Sequence, residues 1–288
     1  RMCGIVGATA QRNVYKILIE GLHRLEYRGY DSAGLSILDS DNVLQTRKTI
    51  GKVADLEAVC KGNFVSGNTG ISHTRWATHG APSSINSHPR VSAGISIVHN
   101  GIIENHAALR SDLEARGVTF QSETDTEVIV HLINAEMESQ PSLLKAVQQV
   151  LPRLEGAYAL AVLDAQRPGL LVVARAGSPL VLGVGMGESY AGSDTLALRP
   201  VTDRFVYLEE GDTAELTAAG YTIYNHDGHA VEREITRIEA SDDNGALGDY
   251  DHYMLKEIHE QPARLRDTVS IDWRSDDCFG DNTKALLS

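Results

Sequence analysis

Cysteine is scarce in this sequence. The three present, Cys3, Cys60 and Cys278, are an odd number with no CxxC spacing. That excludes a zinc ribbon and a disulfide scaffold, and it fits a reducing, cytoplasmic setting. Basic residues are also short. Lys and Arg total 26 against 39 Asp and Glu, a net charge of −13, and no stretch concentrates them. A nucleic-acid backbone needs a basic footprint, so that partner is not expected. One or two buried arginines could still bind a small anionic substrate. Long apolar runs are missing too: none reaches the ~18–20 residues of a membrane span. The most apolar window, 169–187, is broken by Arg175 and Pro179. The amino-terminal residues lack the charged region and apolar stretch of a signal peptide, so neither a membrane nor a secretory route is expected.

What is present is an ordinary globular composition. The 288 residues are 42% hydrophobic and 23% charged. Such a chain buries about three quarters of its unfolded surface and needs no metal or disulfide staple. Length alone admits two domains or one large β-rich one.

Periodicity predicts the elements. Residues 4–8 form a short apolar strand. Val14, Leu18, Leu22 and Leu25 recur at helical spacing, with Asn13 as N-cap and Gly29 as the stop. Ala33–Leu38 and Val43–Arg47 flank a turn and read as a hairpin. A helix follows over 52–60, then strands over 70–73 and 94–99. The segment between them, 75–89, is a long loop carrying Trp76, His79 and His88, and loops of that length are usually functional or disordered. Helices are expected over 104–116, 125–139 and 142–154, and short strands over 157–164, 170–174, 180–183, 189–191, 205–208, 213–216 and 222–224. The order of strands, helices, then strands again argues for an α+β sandwich of mainly antiparallel sheets. After residue 241 the chain turns polar, with a helix over 251–267 and a connector beyond.

Several residues have two readings. Cys3 is either a small apolar residue opening a strand or a nucleophile. A thiol needs a base, and a cysteine at the first position of a mature chain carries one in its own α-amine, of pKa about 7.7–8.0. Asn100-Gly101 is a hairpin turn by its local signal. Asp125 is a helix cap, and Arg28 is a surface ion pair at a helix end. Residues 183–188 are not a dinucleotide fingerprint, because Glu188 stands where the third glycine belongs. The histidines lack zinc spacing, so no metal and no cofactor is expected.

Five ordered motifs change the weighing: MCGIVGA at 2–8, LEYRGYDSAG at 25–34, SHTRWATHG at 72–80, VHNGIIEN at 98–105 and SETDTE at 122–127. Together with HYMLKEIHEQP at 252–262, they resemble the class II glutamine amidotransferases, the N-terminal-nucleophile hydrolases that release ammonia from glutamine. Within that group the chain is most similar to the glutaminase half of the glutamine–fructose-6-phosphate aminotransferases. The resemblance implies a four-layer αββα sandwich. It implies Cys3 as the nucleophile, Asn100 and Gly101 as the oxyanion hole, and Arg28 as the holder of the Cys3 loop. It implies Arg75 at the α-carboxylate of L-glutamine and Asp125 at its ammonium. The loop with Trp76, Thr78 and His79 would close over the substrate, His79 binding and not serving as base.

The resemblance further implies residues 1–240 as the glutaminase domain and 241–288 as a linker towards a sugar-phosphate isomerase domain outside this polypeptide. The full-length enzyme is expected to be a homodimer. Arg1 and Met2 precede the thiol, so negligible turnover is expected until they are removed. Two other readings stand: a catalytically silent glutamine-binding or regulatory module while Cys3 is blocked, and a Cys-His thiol hydrolase using His79 or His99.

Overall fold

The computed structural model describes residues 3–76 and 80–238. Thr78, His79, the helix expected over 251–267 and the linker over 241–288 lie outside the described residues.

Strand alternation decides the architecture. β1 (Gly4–Ala10) is buried along its whole length. Its Ile5 joins a core with Ile71, Val98, Val173 and Val206. Its Val6, Ala8 and Ala10 join another with Leu18 and Leu22. Successive side chains point to opposite faces of a strand, so one short segment feeds two cores. That explains a run with no polar face.

Two sheets result. The first runs β15 (Ile235–Arg237), β11 (Arg204–Tyr207), β9 (Val181–Val184), β10 (Glu188–Gly192), β1, β4 (Thr69–Arg75), β2 (Ser32–Leu38), β3 (Leu44–Ile50). The second runs β14 (Ala230–Val231), β13 (Gly220–Tyr224), β12 (Thr213–Thr217), β8 (Leu171–Ala176), β7 (Gly156–Asp164), β6 (Ile95–Ile103), β5 (Arg90–Ser92). Pairing between these strands is antiparallel. Helices α1 (Tyr15–Leu25) and α2 (Val53–Gly62) cover the first sheet. Helices α3 (His106–Ala115), α4 (Asp125–Met137) and α5 (Leu143–Val150) cover the second. The expected four-layer αββα sandwich is the fold, with a third core sealed between the sheets. No helix among the described residues is long and apolar enough to cross a membrane.

Most expected elements form. The four residues that predicted α1 are all buried; the cap position falls on Val14 and not on the expected Asn13, although Asn13 Oδ1 accepts the Tyr15 N–H at 3.0 Å. Three strands were not anticipated: β5, β14 and β15 have two or three residues each, too few for a period to register. Asn100-Gly101 makes no turn. β6 continues through it to Ile103 and pairs with β7 as far as Gly156.

The same alternation aims residues into the gap between the sheets. In register, Gly4 faces Thr74 and Ile5 faces His73. Cys3 is one step before Gly4 and so comes level with Arg75. On β6, Ile95, Ile97 and Ile103 face the helices and Val98 faces the gap. Asn100 shares the parity of Val98. Gly34 lies where the chain crosses β2 at His88: a Cβ there would stand 2.1 Å from the His88 carbonyl oxygen.

At this end the apolar filling gives way to histidines. His73 and His88 are buried, their ring centroids 4.5 Å apart. Burial is the first cause holding both rings neutral, with the charge of neighbouring groups adding to it. The His73 pKa falls to about 3, and that of His88 falls well below its usual value. An unfolded histidine protonates near pH 6.5, so below that pH the unfolded chain binds protons that the folded chain refuses. Stability is therefore complete above about pH 6.5 and declines as the pH falls, by up to ~1.4 kcal/mol per pH unit for each ring. Urea midpoints measured from pH 7 to pH 5 should fall, and His88→Gln should flatten that slope.

Candidate active site

Cys3 sits at the mouth of the gap, half-buried, just before β1. Its Sγ accepts the Trp76 N–H at 3.1 Å, and its thiol can donate to the Trp76 carbonyl at 3.6 Å. Burial pushes the Cys3 pKa up. The Trp76 bond and the Arg75 charge pull it down, and the Asp31 charge pushes it up again. The balance is upward, so the thiol is protonated at neutral pH.

The Cys3 carbonyl is gripped from two sides. Asn100 Nδ2 donates to it at 3.0 Å from the facing sheet, and Arg28 Nη1 donates at 3.4 Å. Arg28 lies in a 3-10 turn, Glu26–Arg28, that continues α1. Its guanidinium is no surface ion pair. It is buried against Asp194, Nη2 to Oδ2 at 2.7 Å, and also donates to Ser193. Burial opposes ionisation of Asp194, but hydrogen bonds from the Leu196 N–H, Tyr27 and Arg28, and the Arg28 charge, hold its pKa low. Ser193 Oγ in turn accepts the Ile5 N–H at 3.0 Å. Arg28, Ser193 and Asp194 thus form one bracket behind the thiol.

Asn100 is fixed at both ends of its amide. Oδ1 meets His73 Nε2 at 2.9 Å while Nδ2 holds the Cys3 carbonyl. Gly101 follows with φ 129°, and a Cβ there would stand 1.9 Å from the Ala157 carbonyl oxygen. Only glycine lets the strand pass at this position.

Arg75 ends β4, buried, with Nη2 donating to the Gly80 carbonyl at 3.4 Å. Asp125 is the first residue of α4, also buried. The cap position belongs to Thr124. Asp125 Oδ2 instead accepts the Ile103 N–H at 3.0 Å, tying the helix start to the end of β6. His99 points to the helix side, its Nδ1 3.1 Å from Thr126 Oγ1. That placement removes it as a base for Cys3.

The chain around the site is anchored by a buried ion pair, Arg90 to Glu127 at 3.2 Å. Glu127 also accepts the backbone N–H groups of Gln121 and Ser122 at 2.8 and 2.6 Å. Nearby, Lys48 Nζ donates to the Ser87 carbonyl at 2.9 Å. Burial, with the Arg90 charge second, pushes the Lys48 pKa down to about 7.

Cys3, Arg28, Trp76 and Asn100 thus meet around one residue. Gly101 and Asp125 flank them through β6. Sequence reasoning passed over His73, Ser193, Asp194 and Glu127. His73 carried a usable signal, because it shares parity with Ile71 and Arg75 on one strand. Asp194 did not, because its partner Arg28 is 166 residues away. Among the described residues no three His, Cys, Asp or Glu side chains are placed to hold a metal ion. A half-buried thiol, an aimed amide donor and buried guanidiniums are parts suited to covalent attack on a carbonyl.

Residues 73–200 match the glutamine amidotransferase domain family. The chain is 54% identical over 269 residues to glutamine–fructose-6-phosphate aminotransferase (isomerizing) of Acinetobacter baylyi, covering 93% of this chain and 44% of that protein. It is 53% identical over 291 residues to the Vibrio vulnificus protein of that name, covering 100% and 48%. The chain therefore spans about half the length of these curated relatives. Among solved structures it is similar to glutamine phosphoribosylpyrophosphate amidotransferase from B. subtilis complexed with ADP and GMP. The TM-score is 0.69 at 26% identity, over 79% of this chain and 50% of that one. Its two facing antiparallel sheets, that domain match and these relatives show that the chain carries a glutamine amidotransferase domain, with the N-terminal-nucleophile fold of that solved structure.

Proposed function

We propose that the chain is the glutaminase portion of a glutamine–fructose-6-phosphate aminotransferase, splitting L-glutamine into glutamate and ammonia through a cysteinyl thioester. The observation that carries this reading is the clamped Cys3, with its thiol on the Trp76 N–H and its carbonyl on Asn100 Nδ2. The thiol attacks the amide carbon of the substrate side chain. Asn100 Nδ2 and the Gly101 N–H stabilise the oxyanion, and such aimed donors are often the largest single catalytic effect. Arg75 takes the α-carboxylate and Asp125 the ammonium, with Trp76, Thr78 and His79 closing over them. Arg28 holds Cys3 in place. Water then cleaves the thioester. In the longer protein the ammonia passes to an isomerase domain and aminates fructose 6-phosphate to glucosamine 6-phosphate. Residues 241–288 lead to that domain. Cytoplasmic residence and a homodimer complete the reading.

Because burial raises the Cys3 pKa, a base must take its proton during attack. The α-amine of a terminal Cys3 can do so; the peptide nitrogen behind Met2 cannot. Removing Arg1 and Met2 should switch on glutamate release. It should also permit a single adduct with a γ-diazoketone analogue of glutamine, seen by intact mass and blocked by glutamine. Equal activity with and without the two residues would sink the mechanism. If the processed chain takes the adduct but releases no glutamate, it is a silent binding module instead.

Asp125→Asn keeps an oxygen for the Ile103 N–H but removes the charge. A hydrogen bond to a charged group is worth about 1.5–3 kcal/mol, so KM for glutamine should rise about 10- to 150-fold with kcat little changed. Steady-state kinetics on the processed chain measures this.

A further inference from the structure

The geometry points to His73 as the positioning residue that fixes which end of the Asn100 amide faces the reacting centre. This rests on the proposed role of Asn100 as an oxyanion donor, and goes beyond it in saying what aims that donor.

An asparagine amide has two ends of similar size and opposite hydrogen-bonding sense. If Asn100 turned over, it would present an oxygen to a developing oxyanion and repel it. Nothing in the Asn100 side chain itself prevents this. His73 does. Its Nε2 lies between two oxygens, Asn100 Oδ1 at 2.9 Å and the His99 carbonyl at 3.0 Å. A carbonyl can only accept, so the ring must carry its proton on Nε2. That proton then demands an acceptor from Asn100. At the far end, the Cys3 carbonyl demands a donor and receives Nδ2 at 3.0 Å. Flipping the amide would set Nδ2 against the Nε2–H and Oδ1 against the Cys3 carbonyl, two mismatches at once.

The tautomer is secure on the other side of the ring as well. Nδ1 is buried and has no hydrogen-bond partner among the described residues. The neighbouring His88 ring is tilted by 32°, its centroid 4.5 Å away. A second proton would have to enter at the buried Nδ1, beside the His88 ring and against the charge of Arg75. Burial accordingly keeps the ring neutral down to about pH 3. His73 is therefore a donor of fixed sense throughout the range in which the protein can work. Its place on β4 is set by strand register, Ile5 opposite His73, so the sheet that carries Cys3 also carries the group that aims the donor from the other sheet.

The test uses three variants of the processed chain. A glutamine side chain can place a donor near the ring's Nε2 position, whereas asparagine falls short of it and leucine has none. Removing one oxyanion donor costs ~10²–10³-fold in kcat. His73→Leu and His73→Asn should therefore lose kcat by an amount approaching that, with KM for glutamine nearly unchanged. His73→Gln should recover most of the loss. Affinity for the γ-aldehyde analogue of glutamine, which forms a tetrahedral adduct at the thiol, should fall in step with kcat, while affinity for glutamate stays constant. ¹⁵N NMR of the wild-type ring should show Nε2 protonated and Nδ1 bare.

The proposal is overturned if His73→Asn and His73→Gln behave alike, if glutamate affinity falls together with aldehyde affinity, or if NMR finds the proton on Nδ1. A wild-type processed chain that neither releases glutamate nor takes the Cys3 adduct refutes the glutaminase reading instead. The NMR result still decides the tautomer in that case.

Discussion

The hydrogen bond from the Asn100 amide to the carbonyl of Cys3 ties the two sheets together where the chemistry is expected, beside the bonds His73 makes across the same gap. Its ends lie 97 residues apart on separate sheets. It can form only if each sheet keeps its pleat register, because a slip of one residue would turn Asn100 towards the helices and Cys3 away from the gap. The sealed interior of Ile5, Ile71, Val98, Val173 and Val206 enforces that register. A hydrophobic constraint spread over the whole sandwich thus determines where one polar contact falls.

Charge is distributed against the grain of the composition. The protein is acidic overall, yet Arg28, Arg75, Arg90 and Lys48 gather near the site with the buried histidines His73 and His88. Asp194 and Glu127 each balance one guanidinium at close range. A buried pair of this kind adds little net stability, but losing one partner strands a buried charge and costs several kcal/mol. The two pairs lock the chain segments on either side of the gap.

Much of this was legible in the sequence, for uneven reasons. α1 was readable because Val14, Leu18, Leu22 and Leu25 repeat with the helix, and the β2–β3 hairpin because turn residues sit between two apolar runs. The motif blocks located Cys3, Arg75, Asn100 and Asp125. Local signals misled where tertiary structure overruled them. Asn100-Gly101 is a strong turn pair, yet it runs straight through a strand because the neighbouring Ala157 carbonyl occupies the space a side chain would need. Asp125 has the look of a cap, but its carboxylate serves the strand beside it and not its own helix. Asp194 has only a local role in the sequence, and its pairing with Arg28 depends on a fold that brings residues 166 apart together.

The location of β1 has a consequence for how the molecule comes into being. The strand that follows the thiol is made before β4 and β10, yet it lies between them in the sheet. Its second neighbour and the Ser193 hydroxyl that takes the Ile5 N–H are synthesised some 188 residues later. Contacts so distant in sequence form slowly, because the chain must close a long loop before they stabilise anything. On the ribosome the thiol therefore waits, unbracketed, until most of the domain has emerged. Competence of the thiol becomes a late event in the making of this domain, although its residue precedes both sheets in the chain.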